Sequence, residues 1–199
     1  MSSRSSSPKP DPALGRLSNL LGAWSLAVSD RVNAAASTAA GRGGQAPAAL
    51  VALHQFAGGG TIEDLRRVLG LSHSAAVRLI DGLVADGHVA RRRPTGDRRA
   101  VALALTPSGR KVARRIVRAR AQAVEATLDG LTEAQRRSLT VLAERLTGDL
   151  TALRLEERRQ GIAPAGGWLC RLCDFDACGR REGQCPAATR AIALTSTRA

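Results

Sequence analysis

From residue 14 the apolar positions Leu17, Leu20, Leu21, Trp24 and Val28 recur at helical spacing and predict a helix with one apolar stripe. The stripe fades over the small residues 34–45, where Gly41, Gly43 and Gly44 predict a loop. Pro47 opens a short helix through Leu50, Leu53 and Phe56, which Gly58, Gly59 and Gly60 end. Thr61 and Asp64 have the form of a capping box ahead of a helix carrying Leu65, Val68 and Leu69 as far as Gly70. Past Leu71 and Ser72 a second helix carries Ala76, Ile80, Leu83 and Val84, with Gly87 placed to cap it. Two short helices across a glycine-containing turn are the helix-turn-helix pattern.

The period then changes. His88, Val89 and Ala90 form an extended piece, and Val101, Leu103 and Leu105 alternate with Ala102 and Ala104, which is strand periodicity. Between them stand Arg91, Arg92, Arg93, Pro94, Thr95, Gly96, Asp97, Arg98 and Arg99, so the pattern predicts a β-hairpin with arginines on both sides of its tip. Thr106 and Pro107 start a helix over 107–128 with Val112, Ile116, Val117 and Val124 inward. Arg110, Lys111, Arg114, Arg115, Arg118 and Arg120 crowd the same helix as candidate phosphate contacts. Thr132 and Gln135 form a second capping box. The stripe Leu139, Leu142, Leu146, Leu150 and Leu153 behind it predicts a seam shared with another subunit. The expected fold is mainly α with a small β wing, a winged helix-turn-helix plus dimerisation helices. Residues 1–12 read as a disordered Ser/Pro-rich tail, 13–156 as the DNA-binding and dimerisation domain, and 157–199 as a linker and four-cysteine tail.

Composition supports this assignment. Hydrophobic residues make up 44% of the chain but aromatics only 2%, so the core must be built from Ala, Leu and Val, which favours packed helices. The formal charge of +13 points to a polyanionic partner. No export signal is legible, and no run of roughly 18 apolar residues suggests a membrane span. The expected location is therefore cytoplasmic. No Ser/His/Asp or Cys/His arrangement suggests a nucleophile, and an enzyme is not expected.

Over residues 71–112 the order of helix, Gly, strand, arginine-rich hairpin, Asp-x-Arg, strand and Leu-Thr-Pro-x-Gly resembles the MarR-type winged-helix transcriptional regulators; more loosely the likeness covers 14–156. The resemblance implies a homodimer on a pseudo-palindromic double-stranded operator. It places Ser72, His73, Ser74, Ala75 and Arg78 against the major groove, and it implies that Arg99 enters the minor groove, held by Asp97; Arg91, Arg92, Arg93 and Arg98, which flank the tip, are further candidate DNA contacts. Thr95 and Gly96 stand where family wings often carry a further acid, a departure that bears on the wing's detailed shape. The family also implies a small-molecule inducer, with Trp24, His54 and Phe56 in segments that could line its pocket. The expected function is that of a sequence-specific regulator acting as a repressor. The alternative is a basic architectural protein that coats DNA without sequence preference.

The last segment departs from that family. Cys170, Cys173, Cys178 and Cys185 fall within 170–185, and the chain has four cysteines in all. A tetrathiolate centre fits this spacing, with Arg171, Arg180 and Arg181 offsetting its charge. Zn²⁺ is the expected ion, an iron–sulfur cluster the alternative (Pro186 follows the last thiol, as in ferredoxin runs), and a bare thiol switch the third reading.

Overall fold

In the computed structural model, residues 11–92, 101–162 and 166–196 are described. Helix α1 (Pro12–Ala40) is capped by the Asp11 side chain, which accepts from the Ala13 N–H. It does not fade at residue 34 as the sequence suggested, but runs on to Gly41, whose φ of 68° ends it. Alanine is the best intrinsic helix former, so a run of small residues carries a helix even without a visible apolar stripe. Ala36, Ala39 and Ala40 are buried where α1 crosses α5 (Pro107–Glu125).

Helix α2 (Ala46–Gln55) is apolar on all sides and buried from Ala46 to Leu53. Both capping boxes form as predicted. Around α3 (Ile62–Leu69) the Thr61 N–H donates to Asp64 Oδ2 at 2.9 Å, and the Asp64 N–H donates to Thr61 Oγ1 at 3.2 Å. Helix α4 (His73–Ala85) starts at Ser72, whose hydroxyl accepts from the Ala75 N–H at 3.3 Å.

Strands β1 (Val89–Arg92) and β2 (Ala102–Leu105) pair antiparallel with Val89 opposite Leu105 and Arg92 opposite Ala102. Val89, Leu103 and Leu105 point into the core, while Val101, expected to share their face, is exposed. The glycine triplet does more than end a helix. The Gly59 N–H donates to the Leu103 carbonyl and the Leu103 N–H donates to that of Gly60, both at 2.9 Å, so the loop pairs with β2. The core gathers Leu50, Leu65, Leu69, Ile80, Leu83, Leu103 and Ile116 from α2, α3, α4, β2 and α5.

Helix α6 (Glu133–Arg159) begins at the Thr132–Gln135 capping box and extends three residues into the stretch expected to be linker. It buries none of its residues. Beyond it come a 3₁₀ turn (Leu169–Leu172) that packs on α2, and α7 (Pro186–Ser196), which packs back on α6. Among the described residues no single helix is long and apolar enough to cross a membrane.

Candidate nucleic-acid interface

The first turn of α4 stands free at the surface. Ser72, His73, Ser74 and Arg78 are exposed and Ala75 is half-buried, whereas Ala76, Ile80 and Leu83 fix the opposite face in the core. Ser72, Ser74 and Ala75 have short side chains, and although the Ser72 hydroxyl takes up the Ala75 N–H, a helix N-terminus attracts phosphate. Arg78 carries a guanidinium with no partner among the described residues, one turn further on.

Of the wing arginines, Arg91 and Arg92 lie on β1 and are exposed. Arg91 is not wholly free, since its Nη2 meets Asp81 Oδ1 of α4 at 2.6 Å, and the pair ties the wing base to the candidate recognition helix. The expected contacts of Arg93, Asp97, Arg98 and Arg99 lie outside the described residues.

Several arginines of the basic helix α5 make contacts within the chain. Arg110 donates to the Leu105 carbonyl at 2.8 Å and Arg115 to the Ala39 carbonyl at 2.6 Å, so two of its arginines hold the fold together. Arg114 and Arg118 line a cleft with Asp174 and Asp176 of the tail, together with His54. Burial, and after it the charge of Arg114, keeps the His54 imidazole below the usual histidine range. Much of the charge on α5 therefore faces the tail rather than the surface around α4.

The tail is packed on the helical domain. Trp168 and Phe175 both stack on Phe56, with centroids 5.9 and 5.3 Å away and planes within 2° and 6° of parallel. The Arg158 and Arg180 guanidinium groups lie 5.7 and 5.0 Å from the Trp168 and Phe175 rings. Cys185 is buried and the other three thiols are half-buried. The thiols stand as two neighbouring pairs, Cys170 with Cys173 and Cys178 with Cys185. The hydrogen bond from Cys173 lowers the Cys170 thiol to about 6, while the same bond pushes Cys173 up. Arg120 of α5 adds positive charge near Cys173, a neighbour that sequence reasoning did not find. Among the described residues no three His, Cys, Asp or Glu side chains converge closely enough to hold a metal ion.

Beside this segment lies a cavity of about 270 Å³ between α6, α7 and the 3₁₀ turn. Phe56, Trp168 and Phe175 form its aromatic walls, and Arg154, Arg158 and Arg180 line it with no carboxylate among the described residues. Of the residues expected near an inducer, Phe56 is here. Trp24 is exposed on α1, and His54 faces the cleft with Arg114 and Arg118.

Two helices with an exposed N-terminal turn on the second, followed directly by an antiparallel hairpin, make the winged arrangement, and residues 41–100 match the model of the MarR family. The chain carries a MarR-type winged helix. It is 29% identical over 86 residues to the uncharacterized HTH-type transcriptional regulator YwhA of Bacillus subtilis (strain 168), an alignment covering 43% of this chain and 62% of YwhA. The match thus spans less than two thirds of that relative. Among solved structures, a MarR family protein from Bacillus stearothermophilus superposes with a TM-score of 0.62 at 20% identity, covering 72% of this chain and 99% of that one. RV1404 from Mycobacterium tuberculosis gives 0.60 at 21% identity, with 71% and 96% covered. At such identities the likeness is one of fold. The neighbours match nearly whole and this chain only in part, so it carries additional sequence beyond the shared MarR-type fold.

Proposed function

We propose that this chain is a sequence-specific, DNA-binding transcriptional regulator that works as a homodimer and represses its target. The observation that carries this reading is the exposed, Ser72-capped first turn of α4 beside the arginine-bearing hairpin, on a chain of net charge +13. A recognition helix entering the major groove with an arginine wing in the adjacent minor groove is the reading this geometry supports.

The apolar residues left uncovered in one chain support the dimer. Leu17, Leu20, Leu21 and Trp24 on α1 are exposed, as are Leu142, Leu146, Leu150 and Leu153 on α6. Faces of this size on a long helix demand a partner helix. A second copy would give two α4 helices for the two halves of a pseudo-palindromic operator.

The cysteine segment is read as a metal-responsive element that holds Zn²⁺, with an iron–sulfur cluster as the alternative. Its support is the chemistry of the donor set, four thiols within residues 170–185 of a docked segment with Arg120, Arg171 and Arg180 near enough to moderate the charge of the thiolates. The thiols do not converge as a ligand set among the described residues, so binding would have to draw the two pairs together. The cavity beside Trp168 supports a small-molecule inducer with an apolar body and an anionic group, given its aromatic walls and three arginines.

Selection of duplexes from a random-sequence pool tests the main reading. Recovery of one inverted repeat bound by two chains supports it. A pool that stays random, with binding that follows salt alone, would instead establish the non-specific architectural protein.

A further inference from the structure

The cavity beside Trp168 takes its walls from two sources. Thr151, Arg154 and Leu155 come from α6 and Phe56 from just past α2, whereas Trp168, Phe175 and Ala191 belong to the docked tail. The cavity therefore exists only while the tail is seated. Any ligand it takes favours the seated tail over a released one, by mass action.

Charge and lining name the ligand. Arg154, Arg158 and Arg180 line the cavity with no carboxylate among the described residues. Arg154 is half-buried, and Arg171, which donates to the Trp168 carbonyl at 2.9 Å, stands near enough for the two charges to repel. An anion beside Arg154 offsets that repulsion and accepts charge-assisted hydrogen bonds. The Trp168 and Phe175 rings are already engaged, by Phe56 and by the Arg158 and Arg180 guanidinium groups. What is left for an apolar body is the aliphatic wall of Leu155, Ala188, Ala191 and Ile192. At about 270 Å³ the space suits a small molecule.

The tail also meets the helix-turn-helix at its turn. Gly167 has a φ of 82°, and a Cβ there would stand 2.5 Å from the Val68 carbonyl oxygen and 2.6 Å from the Leu69 carbonyl carbon. Backbone thus lies directly on backbone, and a side chain on Gly167 would force the two apart. The Trp168 N–H donates to the Val68 carbonyl at 2.7 Å, satisfying one of the acceptors that a helix C-terminus leaves open. Arg154 Nη1 donates to the Gly167 carbonyl at 2.9 Å. Residues 167–168 therefore form a hook, held by α6 on one side and seated on the end of α3 on the other. Just beyond that end come Leu71 and Ser72, the cap of α4.

We propose that the cavity takes a small aliphatic carboxylate on Arg154, and that its occupancy holds the hook on the turn between α3 and α4. The proposal rests on the reading of this cavity as an inducer site. Arg154 serves both ends of the coupling, since it lines the cavity and anchors the hook. With the cavity empty the tail opens more often, and the Gly70–Leu71 turn opens with it. Because α4 starts just past that turn, anion and operator are coupled, each changing the other's affinity by the same factor.

Calorimetry and hydrogen exchange on the full-length chain, with octanoate as the probe, test this. Octanoate should bind more tightly than octan-1-ol, which lacks the charge, and Arg154→Met should weaken it roughly tenfold. The amides of Gly70 and Leu71, both bonded to the Arg66 carbonyl, report on the turn. At ten times its dissociation constant octanoate should slow their exchange roughly tenfold. Gly167→Val, which cannot seat although residue 167 does not line the cavity, should weaken octanoate and abolish the slowing. Ala191→Phe, which fills the cavity, should abolish octanoate binding with the tail still docked. Octanoate bound without any change at Gly70 and Leu71 would overturn the coupling and leave the cavity standing as a site. Tighter binding of benzoate than of octanoate would overturn the aliphatic assignment. A chain that binds no octanoate, or binds it equally with Ala191→Phe, would overturn the cavity reading and the coupling together.

Discussion

A Cβ on Gly109 would stand 2.0 Å from the carbonyl oxygen of His88, so the first turn of α5 lies directly against the chain that enters the wing. The Thr106 hydroxyl completes the junction, accepting from the Gly109 N–H at 3.0 Å and donating to the Gly87 carbonyl at 2.7 Å. This gives a physical reason for the Leu-Thr-Pro-x-Gly order at 105–109. Threonine caps the helix and ties it to the wing, proline opens it, and glycine permits the contact.

Gly109→Ala should therefore destabilise the fold. Alanine gains about 1 kcal/mol over glycine in a helix interior. The overlap here is with backbone, at the upper end of the overpacking range of about 3 kcal/mol. The net loss should be roughly 2 kcal/mol, seen as a fall in melting temperature of about 4–8 °C for a chain of this length. Gly148→Ala on α6 is the control, since its Cβ would meet nothing closer than 4.0 Å. It should raise the melting temperature, and equal effects from the two substitutions would remove the steric explanation.

The fold was most legible where a single turn of chain carries its own chemistry. Thr61 with Asp64, Thr132 with Gln135, and the alternation through Leu103 and Leu105 each announce their element within a few residues. The end of α1 from residue 34 was missed because Ala36, Ala39 and Ala40 pack through small size, and small residues leave no apolar stripe. The tail was harder still. Gly167 has meaning only against Val68 and Leu69, and Trp168 only against Phe56, contacts between positions far apart in the sequence. The same distance effect hid the internal contacts of the basic helix, since nothing local announces that Arg115 binds the Ala39 carbonyl.

Two wing arginines should separate by phenotype. The Arg91–Asp81 pair is exposed on both sides, and exposed pairs contribute little to stability. Arg91→Ala should leave the melting temperature nearly unchanged. If Arg91 is also a phosphate contact, the salt slope of DNA binding should fall by about 1. Arg99→Ala should cost far more affinity on the selected operator, with the proposed dimer intact, because an arginine in the minor groove, as proposed for Arg99, would meet the most negative potential. Fluorescence anisotropy across a salt series measures both, and operator binding by the Arg99 variant equal to that of the native chain would refute the wing.

The proposed dimer carries the last test. Leu146 and Leu150 lie one helical turn apart on α6, each 51% exposed, and the opposite side of the same helix turns Thr151, Leu155 and Arg158 towards the tail cavity. Aspartate at both leucines puts two charges into an apolar seam while leaving the tail-facing side untouched. Burying an unpaired carboxylate is costly enough to break such a seam rather than distort it. Light scattering should then show a monomer whose helical circular dichroism is preserved. Operator affinity should drop sharply, because one α4 helix reads only half of an inverted repeat. A double variant that remains dimeric would place the subunit contact elsewhere, and the exposed face of α1 around Leu17 and Leu21 would be the next surface to charge.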